Sequence, residues 1–264
     1  MSFLHKLAGI KPSHTAHTRS DVSSTVSFNR PGEWGTSGPD RGPALALPAT
    51  YAGLKLVGNL FVEFLHVGTG SGKNHVVFRA MLEAPIVIGG KNYYAARISM
   101  DPADVEFLVL DDSEDGAFYD ADKEPGMHYF PGQLNVKFLG STTPSTSQQF
   151  TMAFPIRKAN LTLGELIAVA KDKNIYKFVF LAYPGVAHAD VWKGCRDFIL
   201  QFYLLLIERS FIAELTTDGQ RLTDRIPFVY SQGQPLRPQP VDKGDFVRFH
   251  RNEKDAHVRA AYGE

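Results

Sequence analysis

The sequence predicts an α+β domain, an antiparallel sheet packed against two main helices, and three observations lead there. Short β-branched and aromatic runs, separated by Gly-, Asn- and Pro-containing turns, follow one another between residues 54 and 156. The apolar period then changes from two to helical spacing in two later segments. Finally, a chain of 264 residues that is 44% hydrophobic can bury a substantial core.

Residues 1–48 are rich in Ser, Thr, Gly, Pro and His, and form a segment expected to be mobile or laid over the domain. The core domain is expected over 49–215. Its first strand is LKLVGNLFVEFLHV (54–67), and VGTGSGKN turns the chain into a second strand, 75–84. The turn Gly89-Gly90-Lys91-Asn92 leads to a third, 93–100, and further strands fall at 105–110, 133–139 and 149–156. Thr162 and Glu165 make a capping box, and Leu163, Leu166, Ile167 and Ala170 form one apolar helical face that stops near Asn174. A strand at 175–183 ends at Pro184-Gly185. Asp190 is the expected cap of a second helix, in which Val191, Cys195, Phe198, Ile199, Phe202, Leu205 and Leu206 recur at helical spacing. From 216 to 264 the chain is polar and Pro-containing, and is expected as an extended tail, wrapping or flexible. No internal repeat is present.

Composition excludes several classes. With 28 basic and 28 acidic residues there is no electrostatic footprint for nucleic acid. The longest strongly apolar run, Phe198 to Ile207, is about half of what a bilayer requires, so no membrane span is expected. The N-terminus lacks the apolar core and cleavage site of a secretory signal, and the single cysteine cannot build a disulfide framework. The expected compartment is the cytoplasm. No motif implies a cofactor, and nothing in the chain sets an oligomeric state.

Two loops imitate ligand sites. VGTGSGKNH (67–75) shares the Gly-Lys pair of a phosphate loop, but Val67 stands where the first Gly belongs, Asn74 supplies no hydroxyl, and a strand follows instead of a helix. Asp111, Ser113, Asp115 and Asp122, with Gly116 at the sixth position, match part of a calcium loop, yet the flanking helices and the final Glu are missing; a solvated acidic loop is the better reading. The histidines show no zinc-ligand spacing, so no metal is expected.

Cys195 is the more promising chemical group. It follows Gly194 near the start of a long helix, where amide dipoles stabilise a thiolate, and a nearby imidazole would complete its activation. It also falls on the apolar stripe, as a buried structural thiol would. His75, at the start of a strand after a flexible turn, is the candidate general base, with His188 as competitor. Arg97 and Ser99 share a side-chain parity on the next strand, from which either would orient the imidazole. Asn74, Tyr94, Tyr183 and Trp192, near predicted strand ends, are candidate substrate-binding residues, and the aromatic ones would line an apolar pocket.

The landmarks Asn74-His75-Val76-Val77-Phe78, Ala96-Arg97-Ile98-Ser99-Met100, the capped helix, Tyr176-Lys177-Phe178-Val179-Phe180 and Gly194-Cys195-Arg196-Asp197-Phe198 resemble, in order, those of an uncharacterised fungal domain family. That family has an Asn-His-Trp strand, a Val-Arg-Leu-Asp-Met strand and a Gly-Cys-Arg-Tyr-Trp helix, and the resemblance covers roughly residues 54 to 215. The order of His strand before Cys helix is similar to circularly permuted papain-like proteins of the NlpC and lecithin retinol acyltransferase type. The resemblance implies a permuted papain-like topology with Cys195 as nucleophile and His75 as base. Val76 replaces the Trp, Asp197-Phe198 replaces Tyr-Trp, and Ser99 stands where the Asp is expected, so the third catalytic position is open.

The functional expectation is a cysteine-dependent acyl hydrolase or acyltransferase acting on a small metabolite, in fungal secondary metabolism if the resemblance extends that far. The alternatives are a metabolite-binding protein, cyclase or isomerase built on an aromatic pocket, and a non-enzymatic interaction domain.

Overall fold

The computed structural model describes residues 33–35, 47–66, 73–102, 128–182, 194–246 and 248–264. The expected strand at 105–110, the acidic loop 111–122, the turn glycines 68, 70 and 72, and most of the N-terminal segment lie outside the described residues.

The architecture is mixed, a large antiparallel sheet with helices, as the change of period predicts. In chain order the elements are β1 (Glu33–Gly35), α1 (Ala49–Ala52), β2 (Leu56–His66), β3 (Asn74–Ile88), β4 (Lys91–Pro102), β5 (His128–Leu139), β6 (Gln148–Pro155), α2 (Leu163–Asp172), β7 (Phe178–Ala182), α3 (Cys195–Glu208), α4 (Leu222–Arg225), β8 (Phe228–Ser231), β9 (Gln234–Pro238), β10 (Asp245–Phe246) and α5 (Ala256–Tyr262). The main sheet runs β10-β7-β5-β4-β3-β2-β6, and β1 pairs beside the second half of β5. Thus β2 to β5 form a meander, with β3 and β4 as its inner strands.

Alternation along the strands separates two faces. Val62, Phe64, Val76, Phe78, Ile98, Met100, Leu134 and Val136 are fully buried and face the helical layer. There Phe78 meets Phe202 of α3 edge-on at 5.5 Å between ring centres, and Phe154 meets Tyr203 at 4.9 Å. The opposite face carries Glu63, Val77, Arg79, Ser99 and Asn135, and its Arg79 Nε donates to Glu63 Oε1 at 2.5 Å with both side chains buried.

Helix α2 has the capping box its sequence announces: Thr162 Oγ1 accepts from the Glu165 amide, and Glu165 Oε2 accepts from the Thr162 amide. Asn174, just beyond its end, adopts the left-handed conformation at φ 58°, which is how this residue type stops a helix.

Helix α3 begins at Cys195, later than the cap expected at Asp190, which lies outside the described residues. Its N-cap is Gly194 at φ 126°, a conformation open to glycine and strained for other residues. A Cβ at Gly194 would lie 2.7 Å from the Phe178 ring and 2.9 Å from the Gly244 Cα. Close approach of three backbone segments around Phe178 therefore fixes where the helix starts, and so where the thiol sits. Gly194→Ala combines backbone strain with overpacking and is expected to destabilise the fold by roughly 2–4 kcal/mol, measured by urea denaturation.

Nearly every side of α3 is buried, polar residues included. The C-terminal segment, expected as an extended tail, supplies the reason: it carries α4, the β8-β9 hairpin, β10 and α5, and covers the face of α3 that the sheet leaves open. Gln201, which interrupts the apolar run, donates from Nε2 to Tyr262 Oη at 2.8 Å and accepts the Asn252 amide at 2.7 Å. Asp197 is fully buried, and accepts from the Gly244 amide at 2.9 Å, Arg251 Nε at 2.9 Å and Tyr262 Oη at 2.5 Å. The buried side chains of Asp197 and Gln201 are thus met by groups 47 or more residues later in the chain.

Candidate functional site: a thiol, an imidazole and a carboxylate

The ladder between β3 and β4 pairs Phe78 with Ile98, Arg79 with Arg97 and Ala80 with Ala96, and stops at Phe78. Carried three residues further, the same register sets His75 opposite Asp101, on one face of the sheet. The side chains meet there, with His75 Nε2 3.1 Å from Asp101 Oδ1. The other carboxylate oxygen, Oδ2, accepts from Ser99 Oγ at 2.6 Å and from Asn135 Nδ2 at 2.8 Å. Asp101 is therefore held from three sides, by neighbours on β3, β4 and β5.

Beyond the end of that ladder stands Cys195, the first residue of α3. His75 and Cys195 each shift the other's titration, and the Val76 backbone N–H acts on the sulfur in the same sense as His75. Since Nε2 serves Asp101, Nδ1 is the ring nitrogen left for the thiol. The order is sulfur, imidazole, carboxylate, in which the last group fixes the tautomer and orientation of the middle one. His75 keeps 26% of its side-chain surface exposed and Asp101 35%, and Cys195 is partly buried. A substrate can therefore reach the site from solvent.

Electrostatics favour charge on both members of this pair. Burial pulls the His75 imidazolium down, but hydrogen bonds to Asp101 and Cys195 and their negative charges outweigh it and push the group up to about 10. Burial likewise pushes the Cys195 thiol up. The His75 hydrogen bond and charge, the Arg196 charge and the Val76 amide oppose it and leave the thiol below its ordinary value. For Asp101, burial is overcome by the His75 hydrogen bond and charge and by the Ser99 and Asn135 donors, which together hold it well below the usual carboxylate range. The three shifts are consistent with a thiolate facing an imidazolium backed by a carboxylate.

The helix terminus adds a second element. The first amides of α3 have no partner within the helix, and the Cys195 N–H is one of them, beside the sulfur. Such a donor suits an oxyanion developing on an attacked carbonyl.

Of the expected catalytic residues, Cys195 and His75 come together, while Ser99 and Arg97 stand elsewhere. Ser99 reaches Asp101, not the imidazole. Arg97 sits level with Arg79 and Lys137, roughly 13 Å along the strand from Asp101. Asn74 is committed to the backbone of β8: its Oδ1 accepts the Tyr230 amide at 2.6 Å and its Nδ2 donates to the Tyr230 carbonyl at 3.1 Å. Tyr94 lies toward the far end of β4, roughly 23 Å along the strand from Asp101. Tyr183, Trp192 and the competing His188 lie outside the described residues.

The third position, left open at Ser99, has Asp101 two residues on, and it is Asp101 that reaches the imidazole. Strand parity was the available signal, because residues 99 and 101 share a face.

Among the described residues, no group of three or more His, Cys, Asp or Glu side chains is arranged to hold a metal ion. No helix among them is long and apolar enough to cross a membrane. No protein-family model, curated protein or solved structure matches the chain.

Proposed function

We propose that this protein is a thiol-dependent acyl-transfer enzyme, a hydrolase or acyltransferase acting on a small acylated metabolite, with the permuted papain-like arrangement its His-before-Cys order suggests. The observation that carries the reading is His75 set between the two groups, its Nε2 3.1 Å from Asp101 Oδ1 and its titration coupled to the Cys195 thiol.

The Cys195 thiolate attacks the substrate carbonyl carbon, forming the S–C bond as the carbonyl electron pair moves to oxygen, where the Cys195 N–H receives it. When the carbonyl re-forms, the bond to the leaving group breaks, and the departing atom takes the proton from His75. A thioester and a neutral imidazole remain. Water or an acceptor nucleophile then attacks the thioester while His75 removes its proton, and release of the acyl product restores thiolate and imidazolium. Asp101 keeps Nε2 occupied, so that the ring presents Nδ1 to the sulfur and to the leaving group.

Because Cys195 is the only cysteine in the chain, an acyl-enzyme has one thiol to form on. A short pulse with an activated acyl ester is expected to add one acyl mass to the peptide containing Cys195, and hydroxylamine to remove it. Absence of an adduct, with the thiol intact, under conditions where product accumulates would refute the covalent route.

The pH dependence is expected to follow the charged pair. As pH rises, kcat/KM should climb as the thiol ionises, with a midpoint below the ordinary thiol value of about 8.5, and fall again as His75 loses its proton near 10. Stopped assays across pH 5 to about 11 read both limbs.

A further inference from the structure

The first turn of α3 and the lead-in to β3 arrive at the site from opposite ends of the fold, and a short C-terminal stretch ties them together. Residues 239–244 lie against the N-terminus of α3 and are gripped at both ends by the two residues that follow Cys195. Arg196, itself 6% exposed, donates through Nη1 to the Ile226 carbonyl at 3.0 Å and the Gln239 carbonyl at 2.9 Å, and through Nη2 to the Pro240 carbonyl at 2.9 Å. Asp197 accepts the Gly244 amide at 2.9 Å, and Arg251, paired with Asp197, donates onward to the Gly244 carbonyl. The Val241 amide donates to the Ala261 carbonyl at 2.9 Å, and beyond Gly244 the chain enters the main sheet as β10.

In the middle of this strap is Asp242. Its Oδ2 accepts from Lys73 Nζ at 2.8 Å and lies 4.0 Å from Arg196 Nη2. Lys73 is two residues before His75, and Arg196 is the residue after Cys195. One carboxylate thus spans the chain segments that present the base and the nucleophile, with 27% and 28% of the Lys73 and Asp242 side-chain surface exposed.

We propose that Asp242 is a positioning residue that, through Lys73 and the strap 239–244, holds the start of the His75 strand in register with the first turn of the Cys195 helix. The inference rests on reading Cys195 as an activated thiol. Neither Lys73 nor Asp242 belongs to the sulfur–imidazole–carboxylate series, and the strap is already fastened to α3 by Arg196 and Asp197. What Asp242 adds is the link across to β3. Proton transfer and ion pairing between His75 and Cys195 depend on that separation, and a loosened supporting contact is felt at the reacting atoms.

Position and charge predict opposite shifts, which makes the proposal testable. The charges of His75 and Arg196 act on the thiol, that of Asp101 on His75, those of Asp242 and Arg237 on Arg196, and Lys73 pairs with Asp242. Asp242→Asn deletes a negative charge beside two cations. Acting only through space, the change would favour the thiolate and move the pH midpoint of Cys195 alkylation down. If Asp242 positions, the imidazolium is held less closely to the sulfur and the midpoint moves up, by about one pH unit, equivalent to a tenfold loss of thiolate at low pH.

The experiment measures iodoacetamide alkylation of the single thiol against pH by intact mass in the full-length wild type, Asp242→Asn, Lys73→Met and the double variant. The expected result is an upward shift in each single variant, with the double no worse than either, because both remove one contact. Removing the Lys73 cation raises the midpoint through charge as well, so Asp242→Asn carries the distinction, and Asp242→Ser, which deletes the same charge, takes its place if the Asn variant fails to fold. An unshifted or lowered midpoint in the folded single variants, or additive shifts in the double, overturns the proposal. An ordinary thiol midpoint in the wild type would instead overturn the activated-thiol reading itself.

Discussion

Cys195→Ala is expected to abolish acyl transfer, with turnover falling by at least about four orders of magnitude, the scale seen when a nucleophile is removed from a triad whose members act as a unit. The loss should appear in kcat, because the thiolate makes its bond only after the substrate is bound. Packing supports the variant as a clean test. Cys195 is partly buried at the first position of α3, and the helix is held by its apolar sides, by the cap at Gly194 and by the grip of Arg196 and Asp197 on the C-terminal segment. Alanine also suits a helix. Melting temperature should therefore stay near that of the wild type while activity disappears. Persistent turnover in a folded Cys195→Ala protein would remove the covalent mechanism.

Asp101→Ala is expected to reduce kcat/KM by about 10²- to 10⁴-fold, the range found when the group orienting a catalytic histidine is removed or neutralised. Two effects combine. The imidazole loses the partner at Nε2 that fixes its orientation, and it loses the negative charge and hydrogen bond that help raise it to about 10. Its proton then dissociates at lower pH, so the falling limb of the pH profile moves down from about 10 toward the ordinary histidine value. The thiol loses imidazolium stabilisation and the rising limb moves up, so the active window narrows from both sides. Asp101→Asn should be milder, since an amide oxygen still accepts from Nε2. Its amide nitrogen then faces the Ser99 hydroxyl, which can turn, and the Asn135 amide, which must flip to accept. A graded series, wild type above Asn above Ala, with the limbs moving inward in that order, identifies the carboxylate as the orienting group. Equal effects of the two substitutions on rate, with unchanged limbs, would assign Asp101 a structural role alone.

Local pattern made much of this arrangement legible in the sequence. The Thr162–Glu165 capping box and the Asn174 stop are complete within one helix, so period and cap chemistry suffice to place α2. Cys195 and His75 were readable as a possible pair because each stands where an element begins, and element starts are marked by glycine and by the onset of an apolar period. Asp101 was harder. The apolar run that marks β4 ends at Met100, yet the strand continues to Pro102. Asp101 follows with a polar side chain that meets His75, Ser99 and Asn135, and a polar strand end resembles a loop when read alone.

The C-terminal segment illustrates the same limit on a larger scale. Residues 216–264 show little apolar periodicity because much of their work is to satisfy Arg196, Asp197 and Gln201 on α3 through backbone groups and side chains. Those partners are 30 to 65 residues apart in the chain, and no local rule pairs them. Likewise, Asn74 stood beside the catalytic candidate and invited a substrate role, while its amide had been committed to Tyr230, 156 residues later.

The central claim is that Cys195 is a thiolate held by His75, and the rate of alkylation of this single cysteine as a function of pH tests it most directly. A sigmoidal rise in rate with a midpoint well below about 8.5, moving upward in His75→Ala, is the predicted result. A midpoint at or above about 8.5, or one indifferent to His75, would contradict the account.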